Sequence, residues 1–225
     1  MAPDAGRTGL PEYPVNLILT GRRCLVVGGG AVAERKVESL LAAGAEVTVI
    51  SPELTAKLSS WAELGRPLHV AREYRFGDAA GYRLVLCATD SAAVNEQAAR
   101  EARQSGALVN VADTPELCDF TLPARLQRGS LSVAVSTGGQ SPALARELRN
   151  ELARQLGPEY AEYLEIAGRL RREWRESCAS SDERCSRWDG LKGFDPEVLE
   201  LLRQGRKEEA EVRFRHGIGC PGTQS

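Results

Sequence analysis

In the first half of the chain, short unbroken apolar runs alternate with stretches whose apolar positions fall at helical spacing. The runs at 24–27, 47–50, 84–88 and 108–111 read as strands buried on both faces of a sheet. Between the first two, Val32, Val37, Leu40 and Leu41 predict a helix that begins at Ala31 and stops at Gly44. Leu54, Leu58 and Trp61 predict a second, with Ser51 as its cap, Pro52 in its first turn and Gly65 as its stop. A third is expected from Asp90 or Ser91, whichever caps it, to about Ser105 with Gly106 beyond. Residues 68–71 add a short strand and 15–19 an edge strand, behind a Pro- and Gly-rich lead-in.

The pattern changes after Asp113. Thr114-Pro115 breaks the chain, and 120–126 and 131–136 predict two strands joined around Arg128-Gly129. A loop, Ser136-Thr137-Gly138-Gly139-Gln140-Ser141-Pro142, then enters a helix in which Leu144, Leu148 and Leu152 recur every four residues. From Pro158 the chain reads as charged helix, interrupted across 177–193 and frayed from Gly217, and no internal repeat is present. Strands alternating with helices argue for an α/β fold with a Rossmann-type, doubly wound parallel sheet. A small β region and a helical C-terminal part follow it, with expected divisions at 1–113, 114–146 and 147–225.

Composition narrows the class without deciding it. With 225 residues, 42% of them hydrophobic and 27% charged, the chain can bury a substantial core. A formal charge of -2 exerts no general pull towards nucleic acid or an anionic membrane. No apolar run is long enough to span a bilayer, and Met1-Ala2-Pro3-Asp4 lacks a basic-then-apolar leader, so the expected location is cytoplasmic. Of the 6 cysteines, Cys24 and Cys87 fall in predicted buried strands, where a reduced thiol packs as a small hydrophobe. Cys178 and Cys185 form the one close pair, but with only His69 and His216 to help, a zinc site is not expected.

The candidate chemistry begins at Gly28-Gly29-Gly30-Ala31-Val32-Ala33, a G-x-G-x-x-A string between strand and helix. Gly28 would serve the tight turn, Gly30 the close approach of a pyrophosphate, and Ala33 the packing of helix on strand. The free N–H groups at the helix start would face that phosphate. Glu53, after the second strand, fits a ribose contact or a first-turn helix acid equally well. No arginine follows to hold a 2′-phosphate, which favours NAD over NADP. Thr89 stands at the end of a central strand as a cofactor contact, with Asp90 beside it reading first as a helix cap. Asp113 ends another strand at the same sheet edge, where it could act as a general base or form a simple Asx-turn. Thr137, Gly138, Gly139, Ser141 and Arg146 form a second glycine-rich approach to a helix N-terminus, suited to an anion, with Ser141 as cap. Arg125 and Arg128 add positive charge nearby in sequence.

Taken in order, Tyr13-Pro14-Val15-Asn16-Leu17, the stretch from Val27 to Lys36, Ala88-Thr89-Asp90, Asn110-Val111-Ala112-Asp113 and the stretch from Ser136 to Arg146 resemble the precorrin-2 dehydrogenase family, the module also found at the front of siroheme synthases. The resemblance covers about residues 13–156. It implies NAD-dependent oxidation of precorrin-2 to sirohydrochlorin, with Asp113 as the catalytic aspartate. It also implies cofactor contacts at Ala31, Val32, Pro52 and Glu53. The middle β region becomes a dimerisation region, exchanged with neighbouring helices across a homodimer. Some members also insert ferrous iron, and for this chain that activity stays open. The polycarboxylate substrate would need local positive charge and helix N-termini, which the loop from Ser136 with Arg125 and Arg146 could supply. Two rival readings stand beside this one: a non-catalytic NAD-binding regulatory module, and an NAD-dependent dehydrogenase of another anionic small molecule.

Overall fold

The computed structural model describes residues 12–177 and 195–217. Most of the expected lead-in, the interruption after Ser177, the frayed end and the pair Cys178 and Cys185 lie outside them. The chain divides into two compact units, Met1–Leu122 and Pro123–Ser225.

The first unit is built on five parallel strands in the order β3-β2-β1-β4-β5, namely β1 (Arg23–Val27), β2 (Glu46–Ile50), β3 (Leu68–Val70), β4 (Leu84–Cys87) and β5 (Leu108–Val111). Helices α1 (Ala31–Ala42), α2 (Ala56–Glu63) and α3 (Ala92–Gln104) complete it. The period-two geometry of β1 splits its side chains between two cores. Cys24 and Val26 pack with Val37, Leu40 and Leu58, whereas Leu25 and Val27 pack with Ala98, Ala99 and Ala102. Both faces are therefore covered, as continuous apolar strands require. Cys24, Cys87 and Cys118 are buried; burial pushes the Cys24 thiol up to about 11 and the Cys87 thiol to about 12, so both stay protonated and unreactive at neutral pH.

Two boundaries differ from expectation, and a third is decided between alternatives. Residues 15–19 pair with no strand; Tyr13, Val15 and Ile18 are exposed, and only Leu19 reaches the core. The second helix starts at Ala56, capped by the Thr55 hydroxyl, which accepts the Leu58 N–H, because Ser51 spends its own hydroxyl on the Glu53 carbonyl at 2.7 Å. Of the two caps expected for the third helix, Asp90 or Ser91, it is Ser91 whose hydroxyl accepts the Val94 N–H.

Residues after Asp113 stay with the sheet further than the sequence suggests. The chain makes a single 3-10 turn at Pro115–Leu117 and doubles back along β5. There Asp119 N–H donates to the Val109 carbonyl at 2.8 Å, and Val109 N–H donates to the Asp119 carboxylate at 3.0 Å. This return covers the exposed edge of β5, and it is why 120–123 cannot belong to the next strand.

In the second unit, β6 (Ala124–Arg128) and β7 (Leu131–Val135) form an antiparallel hairpin closed by Gly129 and Ser130. Leu126 is buried on one face while Arg125, Gln127, Ser132 and Ala134 are exposed on the other. A lone hairpin is marginal in water, and α4 (Pro142–Gln155) packs on it. The helix buries Ala145, while Leu144 and Leu148 of the four-residue repeat are 46% and 44% exposed. Arg128 is not available for a ligand: its guanidinium donates to the Leu156 carbonyl at 2.9 Å and the Ala153 carbonyl at 3.4 Å, closing the end of α4. Helices α5 (Glu159–Ser177), α6 (Pro196–Arg203) and α7 (Lys207–Gly217) share a small core of Ile166, Leu170, Val198, Leu202 and Phe214.

Because Leu25 is wholly buried in a central strand, Leu25→Ala should cost about 2–5 kcal/mol of stability. Leu64→Ala, at an 85% exposed site, should change it by less than about 0.5 kcal/mol. Urea unfolding of both variants checks the contrast.

Candidate active site

Strand order reverses between β1 and β4, so the loops leaving their C-terminal ends part there and open a crevice. The glycine turn fills its floor. Gly28 sits at φ +113, and a Cβ on it would lie 2.4 Å from the Ala88 carbonyl oxygen at the end of β4. A Cβ on Gly29 would lie 2.0 Å from the Glu53 carbonyl oxygen, on the other flank. Gly30 caps α1 with no side chain, and a Cβ there would meet nothing within 4 Å. The first two glycines thus allow the turn to wedge between neighbouring loops, while the third faces open space beside the free N–H groups of Ala31, Val32 and Ala33. Ala33 itself is fully buried, which brings α1 close to β1.

The loop after β2 is tied to this turn. Thr55 N–H donates to the Gly29 carbonyl at 3.0 Å, and the Thr55 hydroxyl donates to the Glu34 carboxylate at 2.6 Å. Pro52 and Glu53 lie exposed on the tethered loop, outside α2, so Glu53 is not a first-turn helix acid. Gly29 and Glu34 lie inside the glycine stretch but were given no role by the sequence pattern; their role is set through Thr55, 21 residues beyond Glu34, which periodicity does not report. At the end of β4, Thr89 is held by Asn95: the hydroxyl donates to the Asn95 side-chain oxygen at 2.8 Å, and the Asn95 amide returns a bond to the Thr89 carbonyl at 2.9 Å.

Asp113 lies exposed just past β5, one strand further along the same sheet edge. Its φ of 57° makes it the one non-glycine residue with positive φ among the described residues. Asp tolerates this region better than most residues, yet such conformations persist only where the surroundings impose them. Here they do. Ala112 N–H donates to the Cys87 carbonyl at 2.9 Å, and Val111 N–H donates to the Cys118 sulfur at 3.2 Å across the loop. The sulfur contact has no sequence signature.

The six residues expected to meet an anionic substrate all belong to the second unit. Gly138 and Gly139 take φ of 59° and 78°, which folds the loop back on itself. The Thr137 hydroxyl accepts the Ser141 N–H at 3.1 Å, and the Ser141 hydroxyl accepts the Leu144 N–H at 3.3 Å as the cap of α4. Arg146 is exposed one turn into that helix and Arg125 is exposed on β6. Among the described residues no cluster of three or more His, Cys, Asp or Glu could hold a metal ion.

Glycine replacements separate packing from ligand contact. Gly29→Ala should lose about 1–3 kcal/mol of stability through its clash with the Glu53 carbonyl. Gly30→Ala, entering open space, should cost no more than about 1 kcal/mol yet weaken dinucleotide binding at least about tenfold. Thermal melts and calorimetric titration with the dinucleotide report the two effects independently.

Comparison with known proteins agrees with this geometry. Residues 15–124 match a family model described as "Putative NAD(P)-binding", and residues 128–155 match one described as "Sirohaem biosynthesis protein central". The chain is 40% identical to a siroheme synthase of Nitrosococcus oceani over 198 residues, 88% of this chain and 42% of that protein. It is 39% identical to a siroheme synthase of Methylobacillus flagellatus over 213 residues, 95% of this chain and 45% of that protein. It therefore spans less than half the length of these relatives. Among solved structures it is similar to SirC, a precorrin-2 dehydrogenase, with a TM-score of 0.70 and 26% identity over 92% of this chain and 99% of that one. Over most of its own length the chain is thus similar to siroheme synthases, and it shares the fold of a precorrin-2 dehydrogenase.

Proposed function

We propose that this chain is an NAD-dependent dehydrogenase that oxidises precorrin-2 to sirohydrochlorin in siroheme biosynthesis. The observation that carries the reading is Asp113, an exposed carboxylate held at φ 57° on the sheet edge that also bears the glycine turn. The names of the relatives and of the structural neighbour support the same reaction.

The reaction removes one hydride and one proton from the macrocycle. NAD, when bound, supplies the hydride acceptor. The chain's residues then have separable tasks. The N-terminal N–H groups of α1, from Ala31, Val32 and Ala33, hold the pyrophosphate, with Gly28 shaping the turn and Gly30 leaving room. Pro52 and Glu53 flank the ribose, and the absence of an arginine in Ser51-Pro52-Glu53-Leu54 favours NAD over NADP. Thr89 borders the nicotinamide half of the crevice. Asp113 takes the proton as general base. Thr137, Gly138, Gly139 and Ser141 at the start of α4, with Arg146 and Arg125, receive the substrate carboxylates.

The active form we infer is a homodimer. Supporting this, the hairpin leaves one face uncovered and α4 presents Leu144 and Leu148 to solvent in the single chain. The buried, protonated thiols Cys24 and Cys87 suit a reducing, cytoplasmic location. Ferrous iron, if taken as a second substrate, would be held by Asp113 and the macrocycle nitrogens.

Asp113→Asn keeps a side chain that tolerates positive φ, so NAD affinity should stay within about twofold while oxidation falls by about 100-fold or more. Asp113→Gly should melt at or above the wild-type temperature and oxidise as slowly, since glycine adopts φ 57° without strain. Anaerobic turnover with calorimetric NAD binding checks both variants. Turnover at the wild-type rate would remove Asp113 from the mechanism.

A further inference from the structure

Helix α1 buries Ala33, Lys36, Val37 and Leu40, the positions of a core-facing stripe, and one of them is a lysine. Lys36 is 9% exposed, a burial at which its charge is costly to keep. Its ammonium donates to the side-chain oxygen of Asn110 on β5 at 2.6 Å, a fully buried bond between groups 74 positions apart. Asn110 is itself 7% exposed, and its amide nitrogen donates onward to the Phe120 carbonyl at 3.0 Å.

These two bonds meet at the base of the Asp113 loop. Asn110 belongs to the strand that leads into the loop, and Phe120 to the segment that returns from it. A chain from Lys36 through Asn110 to Phe120 therefore ties both arms together three residues before Asp113. The ammonium also lies within electrostatic reach of the Asp113 carboxylate and of the Cys118 and Cys87 thiols, with Arg35 on its own helix. Burial lowers the Lys36 pKa from the usual lysine value, and the Asp113 carboxylate opposes it. A Met at this position would fill the stripe without that penalty, so packing alone gives no reason for a lysine.

We infer that Lys36 is a positioning residue for the proposed proton acceptor: its ammonium, through Asn110, fixes the base of the loop that holds Asp113 in its left-handed conformation. This rests on the role assigned to Asp113 above. In this assignment Lys36 acts through the loop, by way of Asn110.

The test is Lys36→Met in the full chain, assayed anaerobically with precorrin-2 and NAD, alone and combined with Asp113→Asn. Misplacing a catalytic group by about 1 Å costs on the order of 100-fold, so kcat should fall roughly tenfold to 100-fold. The KM values and NAD affinity should stay near wild type, because the glycine turn is untouched. Added to Asp113→Asn, the same change should cost less than about twofold, since the group it positions is already disabled. Lys36→Arg should recover part of the lost kcat by keeping a buried cation and donor. Asn110→Ala, which leaves the lysine but removes its acceptor, should show the same kcat loss, and it serves if Lys36→Met fails to fold. An unchanged kcat in a folded Lys36→Met, or an equal loss with and without Asp113, would overturn the inference. If Asp113→Asn itself turns over normally, the assignment of Asp113 fails first, and that result is read from the single variant.

Discussion

The first unit depends on one close approach. The turn between β1 and α1 is pressed against the end of β4 on one side and the loop after β2 on the other, at distances that leave no room for a Cβ on Gly28 or Gly29. That contact sets the path of α1, because Gly30 follows at once as its cap. It also sets the loop carrying Glu53, which is tied to Gly29 and Glu34 through Thr55. The crevice at the strand-order reversal is thus a consequence of backbone meeting backbone. Side chains are added to a frame that only glycine permits.

The second constraint is the loop past β5. A sheet edge left bare invites pairing with another strand, and here the chain covers it by turning back along β5 and bonding to Val109 in both directions. The tight return forces Asp113 to positive φ, and the cost is borne by the Cys118 sulfur contact and the Asn110 bonds around it. Edge protection and the placement of an exposed carboxylate are one structural event. The buried Lys36 is tied to the base of the same loop through Asn110.

Much of this was legible in the sequence, and the reasons for success and failure are physical. Strands buried on both faces write themselves as unbroken apolar runs, so β1, β2, β4 and β5 were placed to within a residue. Glycine stops at Gly44, Gly65 and Gly106 were readable because each takes positive φ where a helix ends. The apolar stretch at 15–19 misled because hydrophobicity does not say whether a ladder partner exists. Ser51 was misread as a cap, and Asp90 and Ser91 were left as alternatives, because a hydroxyl or carboxylate near a helix start has several possible partners, and only the fold chooses among them. The leucine repeat of α4 pointed to a buried stripe, whereas Ala145 is the residue the single chain buries. Gly29 and Lys36 lay inside the recognised glycine stretch but were given no role of their own, and Cys118 was passed over, since their partners lie far away along the chain or across a turn.

The central claim is that this chain moves a hydride from precorrin-2 to NAD. The most direct measurement mixes purified protein, NAD and freshly generated precorrin-2 without oxygen, and follows NADH absorbance and the sirohydrochlorin spectrum together. The account predicts that the two rise in step, one NADH for each sirohydrochlorin, and that neither rises without the protein. Binding of the dinucleotide with no NADH formed would contradict it and leave a nucleotide-sensing module in its place.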